Sequence, residues 1–238
     1  KVLFASSEVD PFAKTGGLAD VAASLPKALS GLGQDIRVVM PKYKNIPQKY
    51  VDKMEYIGYI YVDISWRHQF CAILKLEQDG VIYYFLDNEY YFNRDGYYGY
   101  DDEAERFAFF CKALIEFLPV VDFKPDIIHC NDWQTGVVSL LLNVHYKHLE
   151  FYQNIKTVYT IHNLKYQGVF PKEVLGELLG VPWEYFTSDG IEFYDKVNYL
   201  KAGVAYSDII NTVSKTYAEE IKTDFYGENL NSILNARS

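Results

Sequence analysis

Apolar runs of four to six residues, bounded by glycine, proline and polar clusters, alternate along this chain with stretches whose apolar residues recur at helical spacing. The first run, Val2-Leu3-Phe4-Ala5, lies in residues 1–7 and predicts a buried strand. Leu18, Val21, Ala22, Leu25, Leu29 and Leu32 then predict a helix from about Leu18 to Leu32, with Gly33 as its stop and Pro26 as a kink or break within it. Ile36–Met40 predicts a second strand, ended by Pro41. The chain therefore opens β-loop-α-β, the unit of a parallel sheet.

The pattern changes over residues 56–87. Three strand-like segments follow one another, Tyr56–Ile64, Gln69–Leu76 and Val81–Leu86, and Asp79-Gly80 is a hairpin signal between the last two. They predict a β-meander inserted in, or extending, the main sheet. A polar loop rich in glycine and tyrosine runs from Asn88 to Asp101, and Asp102 reads as the N-cap of a helix through about Leu118. Alternation then resumes. Strands are predicted at Asp126–Cys130, Thr157–Ile161 and Asp208–Val213, and helices at Thr135–His148, Pro171–Leu179, Asn198–Tyr206 and Lys215–Thr223. The fold class expected is α/β: a doubly wound, mostly parallel Rossmann-like sheet with a β-meander extension.

Composition narrows the function classes. The 238 residues carry a formal net charge of −9, which disfavours a nucleic-acid backbone as partner. No apolar run reaches the length of a membrane span, and no signal-like or transit-like segment opens these residues, although they start without Met. Cys71, Cys111 and Cys130 lack C-x-x-C spacing and are expected to be buried reduced thiols. His129 and Cys130 are adjacent, but neighbours on a strand point to opposite faces, so no metal site is expected there. Tyrosine is abundant, at 22 residues, which suits sugar stacking and core filling alike.

In an open parallel sheet, ligands bind at the carboxyl ends of the strands. The unusual polar residues fall there. Lys14-Thr15-Gly16-Gly17-Leu18-Ala19-Asp20-Val21 follows the first strand, Asn131-Asp132-Trp133 the strand at 126–130, His162-Asn163 the strand at 157–161, and Ser214 the strand at 209–213. Paired glycines let a ligand approach the backbone, and a helix N-terminus with a nearby lysine suits an anion. Each residue also has a plain reading: Gly16-Gly17 as a tight turn, Asp132 as a helix cap, His162 as a satisfied loop histidine, Asn163 as a turn former, Trp133 as packing and Glu8 as a solvated carboxylate. His68, His145 and His148 are read as structural or surface residues.

The octapeptide at 14–21, with Ser6-Ser7-Glu8 before it, resembles the N-terminal signature of bacterial glycogen synthases and plant starch synthases. The resemblance extends through Arg94-Asp95-Gly96 with Tyr98, Asn131–Gln134, Ile161–Gly168 and Tyr199–Gly203, and so spans essentially the whole chain. It implies the N-terminal half of a GT-B fold and, for the full enzyme, transfer of glucose from ADP-glucose to the nonreducing end of an α-1,4-glucan with retention, without metal or other cofactor. It implies sugar-nucleotide binding by Lys14, diphosphate contacts from Gly16 and Gly17, donor-glucose contacts from His162, a place near the anomeric centre for Asp132, a glucose and acceptor site shaped by Tyr98, and supporting roles for Glu8 and Asp20; Asn163 joins the binding set. The resemblance departs at the end. The family continues past a segment like Leu230–Ser238 into a second Rossmann-like domain, so residues 1–238 are expected to be one domain whose C-terminal, nucleotide-binding partner is missing and which is inactive alone. A bacterial cytoplasmic setting is expected, with a plastid one for a plant enzyme. Two readings stay open: another GT-B transferase such as a sucrose synthase, and a non-catalytic glucan-binding module. A nicotinamide-binding domain lacks its glycine fingerprint here.

Overall fold

A computed structural model describes all of residues 1–238. Eight strands form the main sheet: β1 (Val2–Ala5), β2 (Ile36–Pro41), β3 (Glu55–Ile64), β4 (Arg67–Gln78), β5 (Val81–Asp87), β6 (Ile127–Asn131), β7 (Lys156–Ile161) and β11 (Ile209–Thr212). Their order is β11-β7-β6-β1-β2-β5-β4-β3. The six strands from β11 to β5 are parallel, and β4 and β3 extend the sheet in antiparallel fashion. The meander is thus an extension of the parallel sheet through β5. Its β4–β5 turn holds Asp79 at φ 52° and Gly80 at φ 75°, the pair of positive angles that a two-residue type I′ hairpin needs.

The parallel strands are nearly continuous apolar runs because helices cover both faces. Leu3, Phe4, Ala5, Val38, Val39 and Met40 are all fully buried. The helix α1 (Gly17–Gly31) continues through Pro26 without a break, and Pro26 is buried. Leu32 is the C-cap, 77% exposed, and not part of the apolar face as its spacing predicts. Two one-turn helices, α2 (Gln48–Val51) and α3 (Glu89–Phe92), follow, the second inside the segment expected to be loop. The long helix α4 (Glu103–Glu116) begins after Asp102, whose carboxylate does not cap it but takes two hydrogen bonds of 2.6 Å from Arg94.

The segment expected as one helix over 135–148 is instead a 3₁₀ turn (Trp133–Thr135), α5 (Val138–Leu141) and a π-turn (Leu142–Tyr146). Its start is pressed against α7 (Tyr199–Tyr206): a Cβ on Gly136 would lie 2.0 Å from the Tyr199 carbonyl oxygen. The predicted helix at 171–179 is also shorter. Residues Val169–Pro171 form β8, which joins β10 (Lys196–Asn198) and β9 (Glu192–Phe193) in a small antiparallel sheet, leaving only α6 (Val174–Glu177) helical. The chain closes with α8 (Lys215–Glu220) and α9 (Asn231–Ala236). The three cysteines are buried and unpaired. No helix is long and apolar enough to cross a membrane.

Strand order fixes where a ligand can sit. From β1 the chain builds outward to β2 and β5 on one side, then returns to β6 on the other side of β1 and proceeds to β7 and β11. The crevice between the ends of β1 and β6 is the topological switch point, where open α/β sheets bind ligands.

Candidate active site

The loops leaving β1, β6, β7 and β11 enclose a cleft of about 750 Å³ at that crevice. Glu8, Gly16, Gly17, Tyr98, Asp132, His162 and Asn163 all line it, so seven of the sequence-predicted residues are brought together. Lys14 and Asp20 are not in the lining. They pair with each other at 2.5 Å on the outer side of the turn, both substantially exposed. That hydrogen bond raises the Lys14 ammonium above its ordinary range. Ser214 is also outside; its hydroxyl accepts from the Tyr217 amide at 3.0 Å and caps α8, while the neighbouring Val213 faces the cleft.

One end of the cleft is the start of α1. Gly16 holds the N-cap position in extended conformation (φ −154°) and no side chain caps the helix, so its first amides are free of side-chain partners. The turn is held in place by Glu8. This buried carboxylate accepts from the Thr15 amide, from the Thr15 hydroxyl at 2.7 Å and from the Tyr98 hydroxyl at 2.7 Å. Ser7 meets the same phenol at 2.9 Å. Glu8 therefore ties the glycine turn to the tyrosine loop, and it is not a solvated side chain. Burial, above all, raises the Tyr98 phenol well above its ordinary range, so the hydroxyl stays protonated and donates.

Asp132 follows β6 with φ 56° and ψ −178°, outside the left-handed helical well and in a positive-φ region that strains any residue with a Cβ. Its Oδ1 accepts from the His162 amide at 2.7 Å and the Asn163 amide at 3.3 Å, which leaves Oδ2 for the cleft. Burial pushes its carboxyl up to about 6, against the opposing pull of those two amides; the Glu8 charge adds to the rise. The imidazole of His162 is held by Asn131, whose Oδ1 lies 2.9 Å from Nε2. The Asn131 amide nitrogen donates to the carbonyls of Ala5 (3.0 Å) and His129 (3.3 Å), so its oxygen must be the acceptor and His162 carries its proton on Nε2. Burial lowers the His162 pKa to about 4, so the ring is neutral near pH 7. His129, on the neighbouring face, is likewise pushed down to about 4 by burial and meets the Thr160 hydroxyl at 2.6 Å.

Packing keeps this floor rigid. Trp133 lies against Phe107 at 5.0 Å and Phe170 at 5.8 Å, and Gly168, at φ +63°, lets the indole approach where a Cβ would come within 2.3 Å. Thr15, Asn131, Glu103, Gln134 and Tyr166 complete the site and were not among the expected site residues. Thr15, Asn131, Gln134 and Tyr166 stand inside the recurring motifs, which is a usable signal. Glu103 sits on α4 with nothing in its spacing to single it out. No three His, Cys, Asp or Glu side chains are grouped as a metal site would need.

A carboxylate with a free oxygen, a neutral imidazole and a glycine turn at an open helix start thus meet at the switch point of a Rossmann-like sheet. Residues 1–236 match the family described as the starch synthase catalytic domain, and the chain belongs to that family. It is 55% identical over 98% of its length to a glycogen synthase of Desulforamulus reducens, and 56% identical over 98% to one of Caldicellulosiruptor bescii, in each case covering 49% of the relative. Its fold matches the catalytic domain of starch synthase IV from Arabidopsis thaliana, solved with ADP and acarbose, with TM-score 0.92 and 31% identity over 99% of this chain and 49% of that one. The chain thus spans about half the length of the relatives it matches.

Proposed function

We propose that this chain is the acceptor-side domain of an enzyme that transfers glucose from ADP-glucose to the nonreducing end of an α-1,4-glucan, with a second domain supplying the remaining nucleotide contacts. The observation that carries the reading is the convergence of Glu8, the Gly16-Gly17 turn, Asp132 and His162 from separate loops on one cleft at the switch point. The identity to bacterial glycogen synthases and the ADP and acarbose bound to the Arabidopsis enzyme support the substrate classes. The cytoplasmic, bacterial setting is part of the same proposal.

In transfer, the bond between the glucose anomeric carbon and the diphosphate oxygen breaks. A new bond forms to the acceptor 4-hydroxyl oxygen, and that hydroxyl's proton leaves with the ADP. Charge gathers on the diphosphate, and the free amides at the start of α1 face it. Lys14 is one weak, exposed ion pair away from the same mouth and is free to exchange Asp20 for an arriving phosphate. The sugar gains oxocarbenium character, which the ionised Oδ2 of Asp132 stabilises. His162, fixed by Asn131 as an Nε2 donor, keeps Nδ1 as an acceptor for a sugar hydroxyl. Tyr98, held by Glu8, shapes the wall. Asp132 acts by electrostatics and position. The test is incubation of the full-length protein with ADP-glucose or UDP-glucose and maltooligosaccharides. Chain lengthening from ADP-glucose with retained configuration is expected, and none from residues 1–238 alone. A full-length protein that binds glucan but lengthens no chain would leave the binding-module reading.

A further inference from the structure

Arg106, on α4, is fully buried and does not line the cleft. Its Nε donates to the Tyr91 carbonyl at 2.9 Å, which anchors the guanidinium on α3. Its Nη1 donates to the Tyr97 carbonyl at 3.2 Å and meets Oε1 of Glu103 at 3.5 Å. The same Glu103 oxygen accepts from the Gly99 amide at 2.6 Å. The residues on either side of Tyr98 are thus both fixed, one by Arg106 directly and the other through Glu103. The guanidinium also lies 4.8 Å from the centre of the Tyr100 ring, whose hydroxyl accepts from the Gly96 amide at 2.9 Å. We infer that Arg106 and its partner Glu103 are positioning residues for the donor diphosphate: they set the Tyr98 loop and, through Tyr98 and Glu8, the Thr15-Gly16-Gly17 turn. The inference rests on the transferase reading above and deepens it, because it places control of donor binding on a side chain outside the cleft.

The relay is continuous. Arg106 holds the Tyr97 carbonyl, the Tyr98 hydroxyl donates to Glu8 at 2.7 Å, and Glu8 takes the Thr15 hydroxyl at 2.7 Å together with the Thr15 amide. Thr15 immediately precedes Gly16, the N-cap of α1, so the aim of the free helix amides depends on it. Stability alone does not account for the arginine. Its Nη2 is buried without a partner, and a buried guanidinium with an orphan donor costs the fold. An apolar side chain among Phe92, Phe107 and Tyr100 would spare that cost. Holding the Tyr91 and Tyr97 carbonyls from one rigid group is what a planar fork of donors does and a lysine ammonium does not. With the fork lost, the Tyr97 carbonyl is released, the phenol drifts from Glu8 and the turn amides lose their aim. A misplacement of about 1 Å in a binding group is enough to be costly.

The test is a double-mutant cycle on the full-length protein, read as the Kd for ADP by titration calorimetry, with Arg106→Lys, Tyr98→Phe and the two together. Each single substitution is expected to weaken ADP by about tenfold, and the pair by little more than either alone, because both cut the same relay. Glu103→Ala frees the Gly99 amide and enters a second cycle with Tyr98→Phe, where the same non-additivity is expected; it carries the test if Arg106→Lys does not fold. Losses that multiply to about a hundredfold in the pairs, as for a residue that touches the ligand independently of Tyr98, would overturn the positioning role. So would an Arg106→Lys protein that is folded and binds ADP within about twofold of wild type. Either result leaves the transferase reading intact. A wild-type protein that neither binds ADP nor lengthens a glucan would sink that reading itself.

Discussion

Replacing Asp132 with Asn should stabilise this domain at neutral pH while crippling the site. Above pH 6 the folded protein holds a buried charge. Its carboxyl titrates at about 6, against an ordinary 3.8, chiefly because it is taken out of water. That difference of about two units, at about 1.4 kcal/mol each, means the ionised side chain costs the fold about 3 kcal/mol at pH 7. Asn keeps an oxygen for the His162 and Asn163 amides and bears the same backbone strain at φ 56°, ψ −178° as Asp, and its amide nitrogen takes the Oδ2 position facing the open cleft. Removing the charge removes the penalty. For a domain of this size the gain corresponds to roughly 5–10 °C in midpoint at pH 7 to 8. The sign reverses nothing else: the wild-type penalty fades as pH falls from 6 to 3.8, because the folded carboxyl takes up its proton first, so the two proteins should converge near pH 4. Thermal and urea unfolding of the two chains at pH 7.5 and pH 4 checks this. An Asn variant less stable than wild type at pH 7.5, or an advantage that persists unchanged at pH 4, would refute the buried-charge account.

Four other perturbations separate packing from site. Gly136→Ala drives a Cβ to 2.0 Å from the Tyr199 carbonyl and should cost at least about 3 kcal/mol by urea denaturation, whereas Gly17→Ala meets nothing within 4 Å and should keep the fold while weakening sugar-nucleotide binding, read as a raised KM. His129 and His162 should stay neutral down to about pH 5, so their ring resonances stay flat between pH 8 and 5.5 and a midpoint near 6.5 would contradict their burial. Because the unfolded imidazoles protonate first, each contributes stability that is lost as pH falls from 6.5 toward 4, for His129 by up to about 3 kcal/mol. Lys14→Ala breaks only an exposed ion pair and should leave the thermal midpoint unmoved, while raising KM for ADP-glucose in the full-length protein by about tenfold or more.

Much of the fold is legible from periodicity because the buried strands are apolar on both faces and the meander advertises its turn. The β6 and β7 strands and the Asp79-Gly80 hairpin are of this kind. The small sheet of β8, β9 and β10 is not, since strands of two or three residues carry no period. The break of residues 133–146 into three helical types is also hidden; at its start the close approach of Gly136 to Tyr199 is a tertiary contact that periodicity does not carry. Pro26 reads as a breaker and is accommodated as a buried residue within α1. In the site, strand-end placement brings Asp132 and His162 together with the glycine turn, and topology confirms the common rim. Side-chain partnerships lie beyond reach: neither the clamp from Glu8 to Thr15 and Tyr98, the diversion of Lys14 to Asp20, nor the orientation of His162 by Asn131 follows from spacing, because each joins residues whose proximity only the folded chain creates.

Asp132 is proposed to supply negative charge to a sugar losing its diphosphate at the switch-point cleft. The measurement that bears on it most directly is kcat for glucosyl transfer from ADP-glucose by the full-length protein, with Asp132 and with Asn in its place. A fall of at least about a hundredfold, with KM for ADP-glucose little changed, is predicted. A kcat within threefold of wild type, from a variant shown to be folded, would contradict it.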